Sequence, residues 1–331
     1  MDVATYPTVR FKPRRFAHVN MWVSDIDQSL KFYSETCGVG VQATEPALKA
    51  GFLTNGNTHH DMGLVEITRG KARLGRDGQV QVPATMGVKP GLFHMGWEME
   101  NEAVLVDAIR RFSTAELPYD STVDHQVSRS IYLPDPDGNL NEFYADAMKD
   151  WQGWFKGELE LITGVWNPGD TPPTSDVRYD PNPTLTQVER APVHPLRIAH
   201  AALATHDASR LRAFYEQVAG LETTFISTDG KAVCMRGTAA GFDLGICQVP
   251  ADRPIGLHHF GFVLANDDAV SKAEAALTRA GRKPPISVDN LNKRAFFILS
   301  PDKAWVEFGV ERGGGNAPLE DDDAALRPFL V

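Results

Sequence analysis

A chain of 331 residues exceeds the usual single core of roughly 100–200 residues, so two domains are expected. Its 42% apolar, 23% charged and 9% aromatic content is that of an ordinary globular protein and excludes a fibrous or disordered chain. A net charge of -10 with no Lys/Arg cluster argues against nucleic acid or an anionic membrane as partner, and leaves a small molecule.

The opening "MDVATYPTVRFKPRRF" has no apolar stretch of signal-peptide length, and no later run approaches the roughly 20 apolar residues of a membrane span. A cytoplasmic protein is expected. Cys37, Cys234 and Cys247 are odd in number and lack CxxC spacing, so they read as reduced thiols without a role.

The first predicted element is a strand over "RFAHVNMWV" from Arg15. An amphipathic helix in "DIDQSLKFYSETC" and short strands in "AGFLTN" and "HHDMGLVEIT" complete a βαβββ unit. The stretch 62–93 that follows, rich in Gly, Arg and Lys, reads as an exposed hairpin or loop, either a lid or a subunit contact. A second unit starts with the strand "GLFHMGWEME" and continues through the helix "NEAVLVDAIRRFSTAEL". It closes on the hairpin "RSIYLPDPDGNLNEFYA", where Pro136 to Gly138 supply the turn.

Residues 151–194 contain "NPGDTPPTSDVRYDPNPT", where repeated Pro and Asp make regular structure unlikely, and read as the linker between domains. Beyond it the first half recurs. "RFAHVNMWVSDIDQSLKFYSETCGV" from Arg15 lies on "RIAHAALATHDASRLRAFYEQVAGL" from Arg197 without a gap. "GLFHMGWEM" matches "GLHHFGFVL" from Gly256, and "YLPDPDGNLNEFYAD" matches "FILSPDKAWVEFGVE" from Phe297. Residues 1–150 and 195–312 are therefore expected to be homologous α+β domains of two paired βαβββ modules each. The tail 313–331, glycines followed by an acidic run, reads as a loose arm or interface strap.

His18 in "AHVNM" and His94 in "FHMGW" occupy the same place in the first strand of their modules, so pairing of modules would bring them together. Glu142 lies on the closing strand. A lone strand His is more often a core residue than a ligand, but His18, His94 and Glu142 recur as His200, His259 and Glu307. Two His and a carboxylate converging on a sheet cavity, with open positions, suit a non-haem Fe(II) site.

At these residues the chain resembles the vicinal oxygen chelate superfamily, and within it the type I extradiol ring-cleaving dioxygenases. The most specific part is "HQVSRSIYLPDPDGNLNE": a His, five residues, an apolar-Tyr pair, two residues, Asp-Pro-x-Gly, then Glu after three more. The resemblance implies tandem domains, each a curved sheet around a metal cavity, and makes His18, His94 and Glu142 ligands of Fe(II), with Mn(II) as a substitute. It implies that His60, in "NTHHDMGL", sits beside the oxygen site as general acid, and that Tyr132 and His125 hold substrate. The implied substrates are O2 and a catechol-type diol cleaved next to its hydroxyls, in aromatic-compound catabolism, by a homo-oligomer. Trp22, Phe93 and Trp97 would suit an aromatic guest or plain core. His59 is the rival to His60 and is expected on the opposite face, while His194, His206 and His258 read as surface or packing residues.

The chain departs from the family in the order of its domains, because the family's catalytic domain is usually the C-terminal one. Here the second half has Phe242 in place of His60 and Phe297 in place of Tyr132, so that half is expected not to cleave rings even if it binds metal. The rival readings within the superfamily are a glyoxalase-like isomerase or lyase and a ligand-sequestering protein. The isomerase usually wants a fourth protein ligand and a carboxylate base; the sequestering protein would need none of His60, Tyr132 and His125.

Overall fold

The computed structural model describes residues 6–75, 78–159, 163–239 and 241–312. The predicted 313–331 arm lies outside the described residues. The first half runs β1 (Arg15–Val23), α1 (Ile26–Lys31), β2 (Gly40–Glu45), β3 (Ala50–Thr54), β4 (Met62–Glu66), β5 (Arg73–Leu74), β6 (Val80–Val82), β7 (Gly91–Glu98), α2 (Glu102–Thr114), β8 (Ser121–Asp124), β9 (Ser128–Pro134) and β10 (Leu140–Asp146). The connecting segment adds α3 (Trp151–Trp154), β11 (Gly157–Glu158) and β12 (Gly164–Val165). The second half runs β13 (Arg197–Thr205), α4 (Ala208–Phe214), β14 (Glu222–Ile226), β15 (Ala232–Arg236), β16 (Leu244–Gln248), β17 (Gly256–Val263), α5 (Asp267–Arg279), β18 (Ile286–Asp289), β19 (Lys293–Leu299) and β20 (Trp305–Glu311).

The four βαβββ modules are present and pair as the repeats predict. β1 joins β7 antiparallel, and β13 joins β17 in the same way, giving curved sheets of ten and eight strands. Within each module the first and last strands are parallel neighbours. The four module helices start alike, each on an Asx side chain that accepts from the backbone N–H three residues on: Asp25, Asn101, Asp207 and Asn266. One continuous apolar core runs through both halves, including Phe16, Trp97 and Phe143 from the first and Ile198, Tyr215 and Phe260 from the second. Trp97 therefore belongs to this core. Its indole N–H donates to Asn141 Oδ1 at 2.8 Å, on the face away from the cavity.

In the connection over 151–194 the Pro/Asp-rich residues 167–184 carry no helix or strand, as expected, whereas the segment ahead of them is ordered against the first sheet. β11 pairs with β2 and β12 with β8, so its first part covers both outer strands of the first sheet. The reason is physical: Trp151, Phe155, Leu159 and Trp166 precede the Pro/Asp-rich run, and burying them fixes the chain beside strands with unpaired backbone groups. In the 62–93 stretch, residues 62–66 are the module's own β4. The β5 and β6 hairpin and its loops follow, with Leu74, Val80 and Val88 exposed. Among the described residues no helix is long and apolar enough to cross a membrane.

Candidate metal centre

Three adjacent strands build the first-half site. The register sets His18 of β1 and Glu142 of β10 on either side of Gly96 of β7, while His94 pairs with Asn20. The His18 ring lies across Gly96: a Cβ there would stand 2.1 Å from the ring. Only glycine leaves room for that crossing. His18 Nε2 reaches Glu142 Oε2 at 2.8 Å, and His94 Nε2 comes within 3.0 Å of the same oxygen without making a hydrogen bond to it. All three side chains are buried (0%, 3% and 3% exposed).

Donor atoms about 2.1 Å from one ion, on a triangular face of an octahedron, lie about 3 Å apart, so this spacing fits a two-His-one-carboxylate ion. Protonation fits as well. Burial holds His18 down at about 4, against the pull of Glu142. Burial alone would raise the Glu142 carboxyl, but His18 and His94 outweigh it and hold it well below the usual range. Neutral imidazole with anionic carboxylate is the ligand form a cation requires.

His60 lies beside this triad, its ring 4.2 Å from that of His18, with Nε2 3.2 Å from Asn20 Oδ1. Asn20 is the site residue that sequence reasoning missed; its signal is its place two positions beyond His18 on the same strand face. His59 does not turn away as expected. Its ring is 4.6 Å from His60 and its Nδ1 3.6 Å from Asp146 Oδ1, because residues 55–60 form a loop rather than a strand and do not alternate. Phe52 and Phe155, the latter from the connecting segment, pack around the His59 and His60 rings.

On the other side, Tyr132 stands opposite Glu142 across β9 and β10, and its hydroxyl lies 2.8 Å from His125 Nε2. His125, about a quarter exposed, marks the cavity edge. Ser130 donates its hydroxyl to Glu142 Oε1. Trp22 and Phe93 pack together at 4.6 Å, and Phe93 lies 4.7 Å from His94, so these two aromatics do border the site.

The second half repeats the framework. His200 and Glu307 flank Gly261, and a Cβ on that glycine would stand 2.2 Å from the His200 ring. The His200, His259 and Glu307 donor atoms also lie close enough to share one ion. Phe242 packs on His200 and Phe297 on His259, where the first half has His60 and Tyr132. His258, expected as packing, has its Nδ1 2.8 Å from His259 Nδ1, whereas His206 is exposed and bonded to the Arg253 carbonyl.

The sequence profile of the Glyoxalase/Bleomycin resistance protein/Dioxygenase superfamily matches residues 15–143 and 197–308. The chain belongs to that superfamily. Among curated proteins none matches the sequence. Superfamily members of known structure share its fold. The Mn(II)-bound glyoxalase from Novosphingobium aromaticivorans is 14% identical, with a TM-score of 0.64 over 92% of this chain and 85% of that one. BphC, a halotolerant catechol dioxygenase, is 16% identical, with a TM-score of 0.61 over 93% and 91%. A variant of homoprotocatechuate 2,3-dioxygenase from B. fuscum is 15% identical, with a TM-score of 0.63 over 97% and 76%. At such identities the likeness shows the fold alone and leaves the reaction to be argued from the site.

Proposed function

We propose that this protein is an extradiol dioxygenase, cleaving a catechol-type ring next to its two hydroxyls with O2, and that the first half carries the reaction. The observation behind this reading is that His60, Tyr132 and His125 gather around the buried His18, His94 and Glu142. His18, His94 and Glu142 would hold Fe(II), with Mn(II) also suited to the donor set. Bound there, the metal would supply a Lewis acid for both diol oxygens and a route for electrons to O2.

The chain's own groups do the proton work. Burial, aided by the neighbouring His18 and His59, holds His60 well below the ordinary histidine range, so it is neutral. With Asn20 Oδ1 accepting from Nε2–H, Nδ1 carries the lone pair, and that atom can take a proton from the diol and return it as the O–O bond breaks. Tyr132 keeps its proton, because burial and then Glu142 push its hydroxyl well above the phenol range. It can therefore donate to a substrate oxygen and fix the ring's orientation. His125, kept neutral by burial, positions the Tyr132 hydroxyl at the cavity edge. Trp22, Phe93, Phe52 and Phe155 offer apolar walls to a flat ring and exclude water.

A glyoxalase-like isomerase is the second reading, favoured by the likeness to the Mn(II)-bound glyoxalase. The first-half cluster offers His, His and Glu, without the further carboxylate that an isomerase base would supply. Anaerobic reconstitution with Fe(II), followed by catechol, 3-substituted catechols and 2,3-dihydroxybiphenyl in air, separates the two. Oxygen uptake with a yellow ring-opened product supports the dioxygenase. Bound iron without uptake on any diol turns the reading to the isomerase.

A further inference from the structure

The two His-His-Glu clusters have the same strands, register and glycine, yet their carboxylates face different partners. In the first half His18 and His94 stand 2.8 and 3.0 Å from Glu142 Oε2. In the second, His200 and His259 stand further back, at 3.5 and 3.3 Å from Glu307 Oε2, and the nearest cation is Lys293 Nζ at 2.7 Å from that same oxygen.

Register identifies the substitution that puts it there. Tyr132 faces Glu142 and Phe297 faces Glu307, so Lys293, four residues before Phe297, takes the place of the buried Ser128. Ala295 likewise takes the place of Ser130, so Glu307 lacks the hydroxyl that serves Glu142 and gains an ammonium instead. Lys293 runs over the Phe297 ring and its side chain is 18% exposed, so the head group reaches inward from the cavity mouth.

We propose that Lys293 takes the cation's place in the second cluster, so that the chain binds a divalent metal ion in the first half alone, and binds a second when the ammonium is removed. The Lys293 ammonium, 2.7 Å from Glu307 Oε2, leaves the buried carboxylate paired without an ion. A divalent ion entering between the histidines would meet that ammonium at close range in a site poorly screened by water. The same framework thus serves a metal in one half and an internal ion pair in the other.

The test is equilibrium dialysis of the full chain against Co(II), with bound metal quantified for wild type, Lys293→Met, Lys293→Gln, Glu307→Gln and the Lys293→Met/Glu307→Gln double variant. Lys293→Met and Lys293→Gln should hold about twice the cobalt of wild type, while Glu307→Gln and the double variant stay at the wild-type level. The proposal is overturned by folded lysine variants that bind no more cobalt than wild type. It is equally overturned by a wild-type chain that loses half its cobalt on Glu307→Gln, which stands as a test even where the lysine variants fail to fold. Metal content of the wild type alone tests the first-half reading, and the difference between variants tests this one.

Discussion

Asp61 and Asp243 hold equivalent places in the two halves, and each reaches across the molecule to the other half's first strand. Asp61 Oδ1 accepts from the Ile198 N–H at 2.9 Å, and Asp243 Oδ1 from the Phe16 N–H at 2.8 Å. Their second oxygens are bonded at home, Asp61 to Thr54 and Asn55, Asp243 to Gly237. Because Asp61 directly follows His60, one short loop both carries a site residue and ties the halves together.

Burial of these carboxyls, against the pull of their hydrogen bonds, gives a pH-dependent stability. Burial pushes Asp243 up to about 6 from 3.8. A folded value above the unfolded one makes the protonated acid the stabilising form, complete below about pH 4 and lost as pH rises through about 6. Asp243→Asn removes the titration, so its stability relative to wild type should rise by about 3 kcal/mol between pH 4 and pH 7. Urea unfolding at several pH values measures this, and a flat difference would refute it. Asp243→Ala, which orphans two buried N–H groups, should cost about 2–5 kcal/mol at pH 4 and, having lost the same titration, correspondingly less at pH 7.

Gly96→Ala tests the crossing of the His18 ring. The added methyl would overlap ring atoms that have no empty space to enter, so the ring must leave its alignment with Glu142. Metal affinity should fall at least about tenfold and stability by about 1–3 kcal/mol. Gly164→Ala, where nothing lies within 4 Å, serves as the control that leaves metal binding unchanged. Normal metal affinity in Gly96→Ala would mean that His18 is not a ligand.

Separate substitutions should divide holding the metal from moving the proton. Glu142→Ala should lose metal and activity together. His60→Phe should retain metal but lose about 10²–10⁴-fold in kcat, the range of one positioned acid–base group. Steady-state kinetics beside metal analysis reads both, and a His60→Phe variant with ordinary turnover removes that residue from the chemistry.

Chelation supplies an independent check. A metal held by three buried groups binds the folded chain alone, so at 100 times its Kd it should add about 3 kcal/mol of stability. Chelator should therefore lower the unfolding midpoint of wild type and leave Glu142→Ala unmoved. Equal shifts in both would place the stabilising ion elsewhere.

The modules were legible because duplication printed the same pattern of strand, helix and turn twice, and the meeting of His18, His94 and Glu142 followed from strand alternation. What escaped depended on register or on irregular backbone. Gly96 matters only because it lies between two particular partners on neighbouring strands, and Ser130 only because β9 pairs with β10 in one register. His59 was assigned by an alternation that its loop does not obey. Phe155 joined the site because an aromatic cluster ahead of the Pro/Asp-rich run folds back onto the first sheet, which the composition of 151–194 as a whole concealed. Nothing in a linear reading shows that Lys293 reaches Glu307, 14 residues further along the chain.

The segment joining the halves also finishes one of them. β11 and β12, a few residues apart in the chain, seal opposite margins of the first sheet, against β2 and β8. A chain cut at residue 150 would bare both hydrogen-bonding ladders and strip Phe155 from the histidines, inviting strand addition between copies. The first sheet keeps both margins covered only in a piece that extends past Val165: the tether travels with the half it closes.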